Sequence, residues 1–380
     1  MIEIVEVTNK RLLRKFINFP VKLFKDVEEF TPYIFEDEMV NLDPKRNHAA
    51  VYADFVLYLA YKDGEIVGRI CGILNKRTNE KYNEKRMRFN RIDMIDDIEV
   101  TKALIRAVAE YGKAHGMNEL VGPLGFNDQD KEGLLIEGFE YHNMFATFYH
   151  PPYYVEHFRK LGFVEDAVWN EYRVYIPEAM PERLSKVAEF TRKKSNLRLL
   201  EFTNKRYLKK HQIHYVKEAI ELVDETYKDL YGYIPNDPAQ IDQLVGQYID
   251  LVHLDYVHIV LDENDKVVGF GLSIPTPSFA LKRSKGKLLP FGWIGVLRAL
   301  KKEKVLDMLL VAIKEEYQKT GILSLIYEQS INNAIKNGIK YAETGPELVT
   351  NEAVNSMWKI LDHKRHKRRA AFVAPITLLD

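Results

Sequence analysis

A glycine turn between an apolar strand and a helix is the stretch of this chain best suited to hold an anion. Gln318-Lys319-Thr320-Gly321-Ile322-Leu323 follows the apolar run from Val305 to Ile313 and opens a helical pattern that stops at Gly338. The first N–H groups of a helix have no partners within it, and the helix dipole favours a phosphate there. Lys319 adds a cation, and Gly321 lets an anion approach with no Cβ in its way. The matching place in the first half reads Asp96-Asp97-Ile98-Glu99, in a connection about four residues shorter between strand end and helix stop. These carboxylates suit a helix cap and repel a pyrophosphate, so the first half is not expected to bind one.

Other reactive side chains point to blander roles. Cys71 sits alone in an apolar run with no second cysteine to pair with, which reads as core packing in a reducing compartment. His363 and His366 lack companions at metal-ligand spacing, so no metal is expected. The run His363-Lys364-Arg365-His366-Lys367-Arg368-Arg369 reads as a solvated loop before a last strand at 370–373. Pro290-Phe291-Gly292-Trp293 reads as a loop over a pocket, and Tyr141-His142 with His150-Pro151-Pro152-Tyr153-Tyr154 places polar aromatics near the first half's cleft.

The elements that position these residues come in two similar sets. Phe55–Tyr61 and Ile66–Leu74 flank Asp63-Gly64, and Val257–Leu261 and Val267–Ile274 flank a turn at Asp262–Lys266, so each half has a hairpin. Each hairpin is followed by a strand, a helix ending at Gly116 or Gly338, and a further strand. Between Lys10 and Glu36, a Phe-rich helical stretch is expected to break at Pro20 and Pro32. Helices are expected over 211–231, 238–251 and 351–361, and 181–194 reads as a linker helix. The repeat predicts two α+β domains, each a mixed, mostly antiparallel sheet with helices on both faces. They span 1–178 and 197–380, joined by 179–196.

The 380-residue length fits two domains, and 46% hydrophobic with 29% charged residues fits a globular chain with a sizeable core. Lys plus Arg and Asp plus Glu balance at 55 each, so nucleic acid is not an expected partner. No apolar run approaches the roughly 20 residues needed to span a bilayer. The start alternates like a strand and lacks a signal-peptide pattern. A cytoplasmic protein without a membrane partner is expected, and the oligomeric state stays open.

In the order of these elements and in the turn Gln318–Leu323, the chain resembles the GNAT superfamily of acyltransferases, in particular its large two-domain bacterial members. The resemblance covers both halves by element order. It implies a pyrophosphate turn at Gln318, Lys319, Thr320, Gly321, Ile322 and Leu323, with acetyl-CoA or another acyl-CoA as co-substrate and Asn351 nearby. It also implies that a backbone N–H in the strand end Val311, Ala312 and Ile313 holds the thioester oxyanion, where two parallel strands splay. A carboxylate must then take the proton of the attacking amine, and Glu343 and Glu347 share one face if that segment stays extended. Trp358 stands seven residues after Asn351, where many members carry a tyrosine acid. The leading expectation is N-acyl transfer in the second domain to a small-molecule amine or a peptide. Aminoacyl transfer from a charged tRNA and a catalytically silent ligand-binding module remain the rivals.

Overall fold

The computed structural model describes residues 1–127, 130–249, 252–355 and 357–380. Its strands are β1 (Ile2–Glu6), β2 (Ala53–Lys62), β3 (Glu65–Asn75), β4 (Arg86–Met94), β5 (Glu119–Gly122), β6 (Leu134–Glu137), β7 (Val164–Tyr175), β8 (Arg198–Leu199), β9 (Val257–Leu261), β10 (Val267–Pro275), β11 (Val305–Ile313), β12 (Tyr341–Thr344), β13 (Glu347–Leu348) and β14 (His363–Pro375). Local chemistry sets the two hairpins. Asp63 and Gly64 at φ 53° and 84°, and Asp265 at φ 59°, take the left-handed conformations that Asp and Gly tolerate. The α+β class is as expected, and β11 has the bounds read from its apolar run.

Both halves build the same motif. An antiparallel set leads to a parallel pair, β4 with β5 in the first half and β11 with β12 in the second. A helix connects each pair: Ile98–Ala114 in the first, Ile322–Lys336 in the second. Some expectations are corrected. The first helix runs Lys10–Leu23 through Pro20, because the proline falls in the last turn and the Phe24 N–H still bonds to its carbonyl. The 238–251 helix covers Pro238–Tyr248, positions 250 and 251 lying outside the described residues. The 351–361 helix is a short turn at Glu352–Asn355 and a 3₁₀ turn at Met357–Ile360, with position 356 outside the description.

The largest correction concerns the basic run. His363–Arg369 is not a solvated loop but the first part of β14, which lies between β5 and β7 in a single sheet ordered β1-β2-β3-β4-β5-β14-β7-β12-β11-β10-β9-β8. The last strand thus completes the first half's sheet, while β7, from the first half, pairs with β12 of the second. The cations are needed inside because the facing strands carry buried carboxylates. Arg369 bonds to Glu171, both with 0% exposure. Lys367 Nζ lies 3.4 Å from Glu171 and 3.1 Å from Glu343, and Arg173 reaches Glu343 at 2.5 Å. Burial alone would raise the Glu171 carboxyl, but Arg369 and Lys367 hold it below the usual range.

Removing one partner of such a set strands the other charge. Arg369→Met is expected to cost about 3–5 kcal/mol of unfolding free energy in urea titrations. Arg369→Met with Glu171→Leu should cost clearly less; an equal or larger loss would show that the charges are not what the site responds to.

Candidate functional site

β11 and β12 run side by side only from Val305–Tyr341 to Met308–Thr344. Beyond that, β11 continues against β10, while the chain after β12 turns at Gly345 and Pro346 and pairs with β7 through β13. The strands therefore part, and an opening forms between Leu309–Ile313 and Gly345–Leu348. A bulge sits at its start: Leu310 faces Leu272 and Met308 faces Ser273, so Leu309 is the extra residue. A bulge redirects the backbone where pairing ends. At Val311 both backbone groups meet Tyr227: its hydroxyl donates to the Val311 carbonyl at 2.8 Å and accepts from the Val311 N–H at 3.5 Å.

A cavity of about 970 Å³ passes through this opening, at the upper end of the roughly 300–1,000 Å³ range of small-molecule sites. Its walls are mainly apolar, from Leu309, Leu310, Ile326, Val245 and Val296 among others. The far end, in the first half, is polar at Tyr33, Asp37 and Lys131. Burial, with Glu38 and Glu36 beside it, pushes the Asp37 carboxyl up to about 6, and burial pulls the Lys131 ammonium down to about 7.

Of the carboxylates singled out in sequence, Glu347 lines the cavity and Glu343 does not. Glu343 is 5% exposed and bound to Arg173 and Lys367. Burial would raise its carboxyl, but the Lys367 and Arg173 cations, with a hydrogen bond from His366, hold it well below the carboxylate range. Burial pushes Glu347 up to about 8, against hydrogen bonds from Trp358 and Thr344 that favour its ionised form. Trp358 Nε1 donates to both carboxylate oxygens, at 2.9 and 3.1 Å. Trp358 therefore orients the carboxylate.

Val311, Ala312, Ile313, Gln318, Lys319, Leu323 and Asn351 also line the cavity; Thr320, Gly321 and Ile322 lie beside it in the turn. The helix from Ile322 has no side-chain cap, its N-cap being Gly321 at φ 86°. A Cβ on Gly321 would stand 2.3 Å from Thr191 Oγ1, so a glycine here lets the helix Glu182–Lys194 pack against the turn. Asn351 caps the next turn, its Oδ1 accepting the Val354 N–H at 3.3 Å.

Tyr327 was not read from the sequence. It lines the cavity at 7% exposure, and its hydroxyl has no hydrogen-bond partner among the described residues. Burial, with Glu347 close by, raises that hydroxyl well above the usual range. The sequence signal was a polar-tipped aromatic on the apolar face of the helix that the glycine turn opens. In the first half the equivalent place is filled. Tyr154, wholly buried, meets the Met94 N–H at 2.8 Å, and Phe158 stacks on Phe89 at 5.4 Å. Asp97 caps the helix there and pairs with Lys62 at 2.9 Å. Among the described residues no group of His, Cys, Asp and Glu could hold a metal, and no helix is long and apolar enough to cross a membrane.

Known proteins share this architecture. A tandem GNAT protein from the clavulanic acid biosynthesis pathway superposes with a TM-score of 0.55 at 10% identity, over 99% of this chain and 99% of its own. A GCN5-related glucosamine N-acetyltransferase region in a fungal multi-domain GH3 β-N-acetylglucosaminidase gives a TM-score of 0.57 at 12% identity, over 98% of this chain and 38% of that one. The fold is thus the tandem GNAT fold. In sequence, Protein YghO of Escherichia coli (strain K12) is 27% identical over 369 residues, 95% of this chain and 92% of its own length. A bacterial ceramide synthase of Caulobacter vibrioides (strain NA1000 / CB15N) is 27% identical over 327 residues, 83% and 82% of the two chains. No protein-family profile matches the chain.

The raised carboxyl makes a stability prediction. Unfolded, Glu347 ionises near 4.5; folded, near 8. The protonated form is favoured by the fold, so its contribution is fully present below 4.5 and is lost as pH rises through 8. Glu347→Gln should match the parent near pH 4 and be more stable by roughly 2–4 kcal/mol at pH 8, from 1.36 kcal/mol per unit discounted for residual solvent. Equal pH profiles of urea stability for both proteins would refute the shift.

Proposed function

We propose that the chain is an N-acyltransferase that moves a fatty acyl group from acyl-coenzyme A to the amine of an amphiphilic, lipid-like acceptor, with the reaction at the opening between β11 and β12. The observation that carries this is one mainly apolar cavity lined by Glu347 and by Gln318, Lys319 and Leu323, which flank the uncapped helix start. An acetyl group would leave most of such a cavity empty, and empty apolar space is costly. The activity in the name of the Caulobacter relative, ceramide synthesis, is chemistry of this class.

In this reading Lys319 and the N–H groups that open the helix at Ile322 and Leu323 take the coenzyme phosphates at the cavity mouth. The Val311 N–H faces the thioester carbonyl oxygen, beside the Tyr227 hydroxyl. The acceptor nitrogen attacks the carbonyl carbon, a C–N bond forms, the C–S bond breaks, and Glu347 takes the proton that nitrogen loses. The thiolate leaves and takes the proton that Glu347 has accepted, and the Tyr327 hydroxyl, without a partner among the described residues, is free to hydrogen-bond to the sulfur. A base near 8 suits this step, since it is partly ionised at neutral pH and strong enough to take a proton. The polar end at Tyr33, Asp37 and Lys131 is suited to the hydroxyl-bearing part of an acceptor.

Two assays test the reading. With a long-chain acyl-CoA and a long-chain amine, thiol release should rise with pH up to about 8 and then level, and Glu347→Gln should lower kcat by about 10²–10⁴-fold. Unchanged kcat would remove Glu347 as the base. Separately, long-chain acyl-CoA at 100 times its Kd should stabilise the folded chain by about 2.7 kcal/mol, with a matching rise in Tm. Lys319→Glu should weaken that shift; no shift in the parent at any soluble concentration would exclude coenzyme binding.

A further inference from the structure

Between Ser278 and Lys304 the chain carries eight Lys and Arg residues against one carboxylate, Glu303, although the whole chain is neutral. The helix Gly292–Lys302 within this stretch has two apolar stripes. One, Val296, Ala299 and Leu300, is buried, and Val296 and Leu300 form part of the cavity wall. The other faces solvent: Trp293 is 46% exposed, Ile294 50% and Leu297 37%, continued before the helix by Phe291 at 75% and Leu289 at 67%. The loop they extend is held from beneath by the Glu36 carboxylate, which accepts the Leu288 and Leu289 N–H groups at 3.0 and 3.1 Å.

Folding alone does not account for so much apolar surface at one tip, because single exposed apolar residues are normal and a contiguous aromatic patch marks an interaction site. Cations flank the patch: Lys285 and Lys287 on one side, Arg298, Lys301 and Lys302 on the other, all exposed. An exposed Trp, Phe and Leu tip ringed by Lys and Arg is the pattern of an element that lies in a bilayer interface, apolar groups in the acyl boundary and cations at anionic headgroups. We infer that the segment from Ser278 to Lys304 docks this protein onto an anionic lipid surface, with Phe291, Trp293, Ile294 and Leu297 inserted. The absence of a spanning helix among the described residues does not bear on this, since an interfacial helix need not span.

The same helix roofs the cavity, so docking sets one wall of the cavity against lipid. An amphiphilic amine could then enter from the bilayer without crossing water as a monomer. The docking itself does not rest on the acyl-transfer reading, and its test needs no substrate.

The full chain is mixed with vesicles of phosphatidylcholine alone and of equal parts phosphatidylcholine and phosphatidylglycerol, and partition is read by sedimentation. Binding is expected only to the anionic vesicles, weakened by high salt, and about tenfold lower in Phe291→Ser/Ile294→Ser. Trp169 and Trp358 are 2% and 3% exposed, so Trp293 reports the contact. Its emission should shift to the blue on anionic vesicles, and the shift should vanish in Trp293→Phe while partition remains. No partition, or equal partition by the double variant, overturns the proposal. So does a lipid-free dimer that the double variant converts to monomer, because the patch would then be a protein interface.

Discussion

The Glu171–Arg369 pair and the Lys367–Glu343–Arg173 contacts beside it hold the seam on which the rest of the molecule depends. They lie on β7, β14 and β12, where the two halves trade strands. Their energetic contribution is less a matter of attraction than of penalty: with these groups out of water, any other register leaves a charge unpaired. A strand slip of one residue would turn Lys367 and Arg369 to the opposite face. The buried charges therefore act as a register lock for a junction whose apolar residues, Ala370, Ala371 and Phe372, would fit several alignments.

That lock also explains why two copies of one motif have diverged. In both halves parallel strands part beyond a short paired region, and a tyrosine hydroxyl meets the end of the first strand, Tyr154 at Met94 and Tyr227 at Val311. In the first half the surrounding volume is filled by Phe158 and Phe89, so the splay is a piece of core. In the second it stays open as the cavity. One half supplies rigidity and a polar end wall, and the other keeps the opening. Glu343 and Glu347, four residues apart, follow this division. One serves the seam as a fixed anion, and the other sits in the cavity where burial keeps its proton near neutral pH.

Much of this was legible where the signal is local. The hairpins could be read because Asp63-Gly64 and Asp265 state their own backbone conformation. The bounds of β11 followed from an apolar run broken only by Asp307, and the glycine turn announced the helix start. The contact of Gly321 with Thr191 was not legible because Thr191 lies 130 positions away in the chain. For the same reason His363–Arg369 resembled a solvated loop: the carboxylates that neutralise it sit on β7 and β12, and no window of sequence contains all three strands. Glu171 in an alternating apolar stretch was the available clue, since a carboxylate at a buried strand position requires a cation from elsewhere. The Leu309 bulge was not readable at all, because a bulge exists only relative to a partner strand.

The placement of β14 has a consequence for the order in which the molecule can be made. Ribosomal synthesis delivers β5 and β7 early, yet the strand that belongs between them emerges only after residues 176–362. Until then β5 has one open edge, β7 has no neighbour on the β14 side, and Glu171 lacks its Arg369 partner. Open edges of this kind are templates for pairing with other chains. The first half's sheet is therefore closed by the far end of the chain, and its open edges persist until that strand arrives.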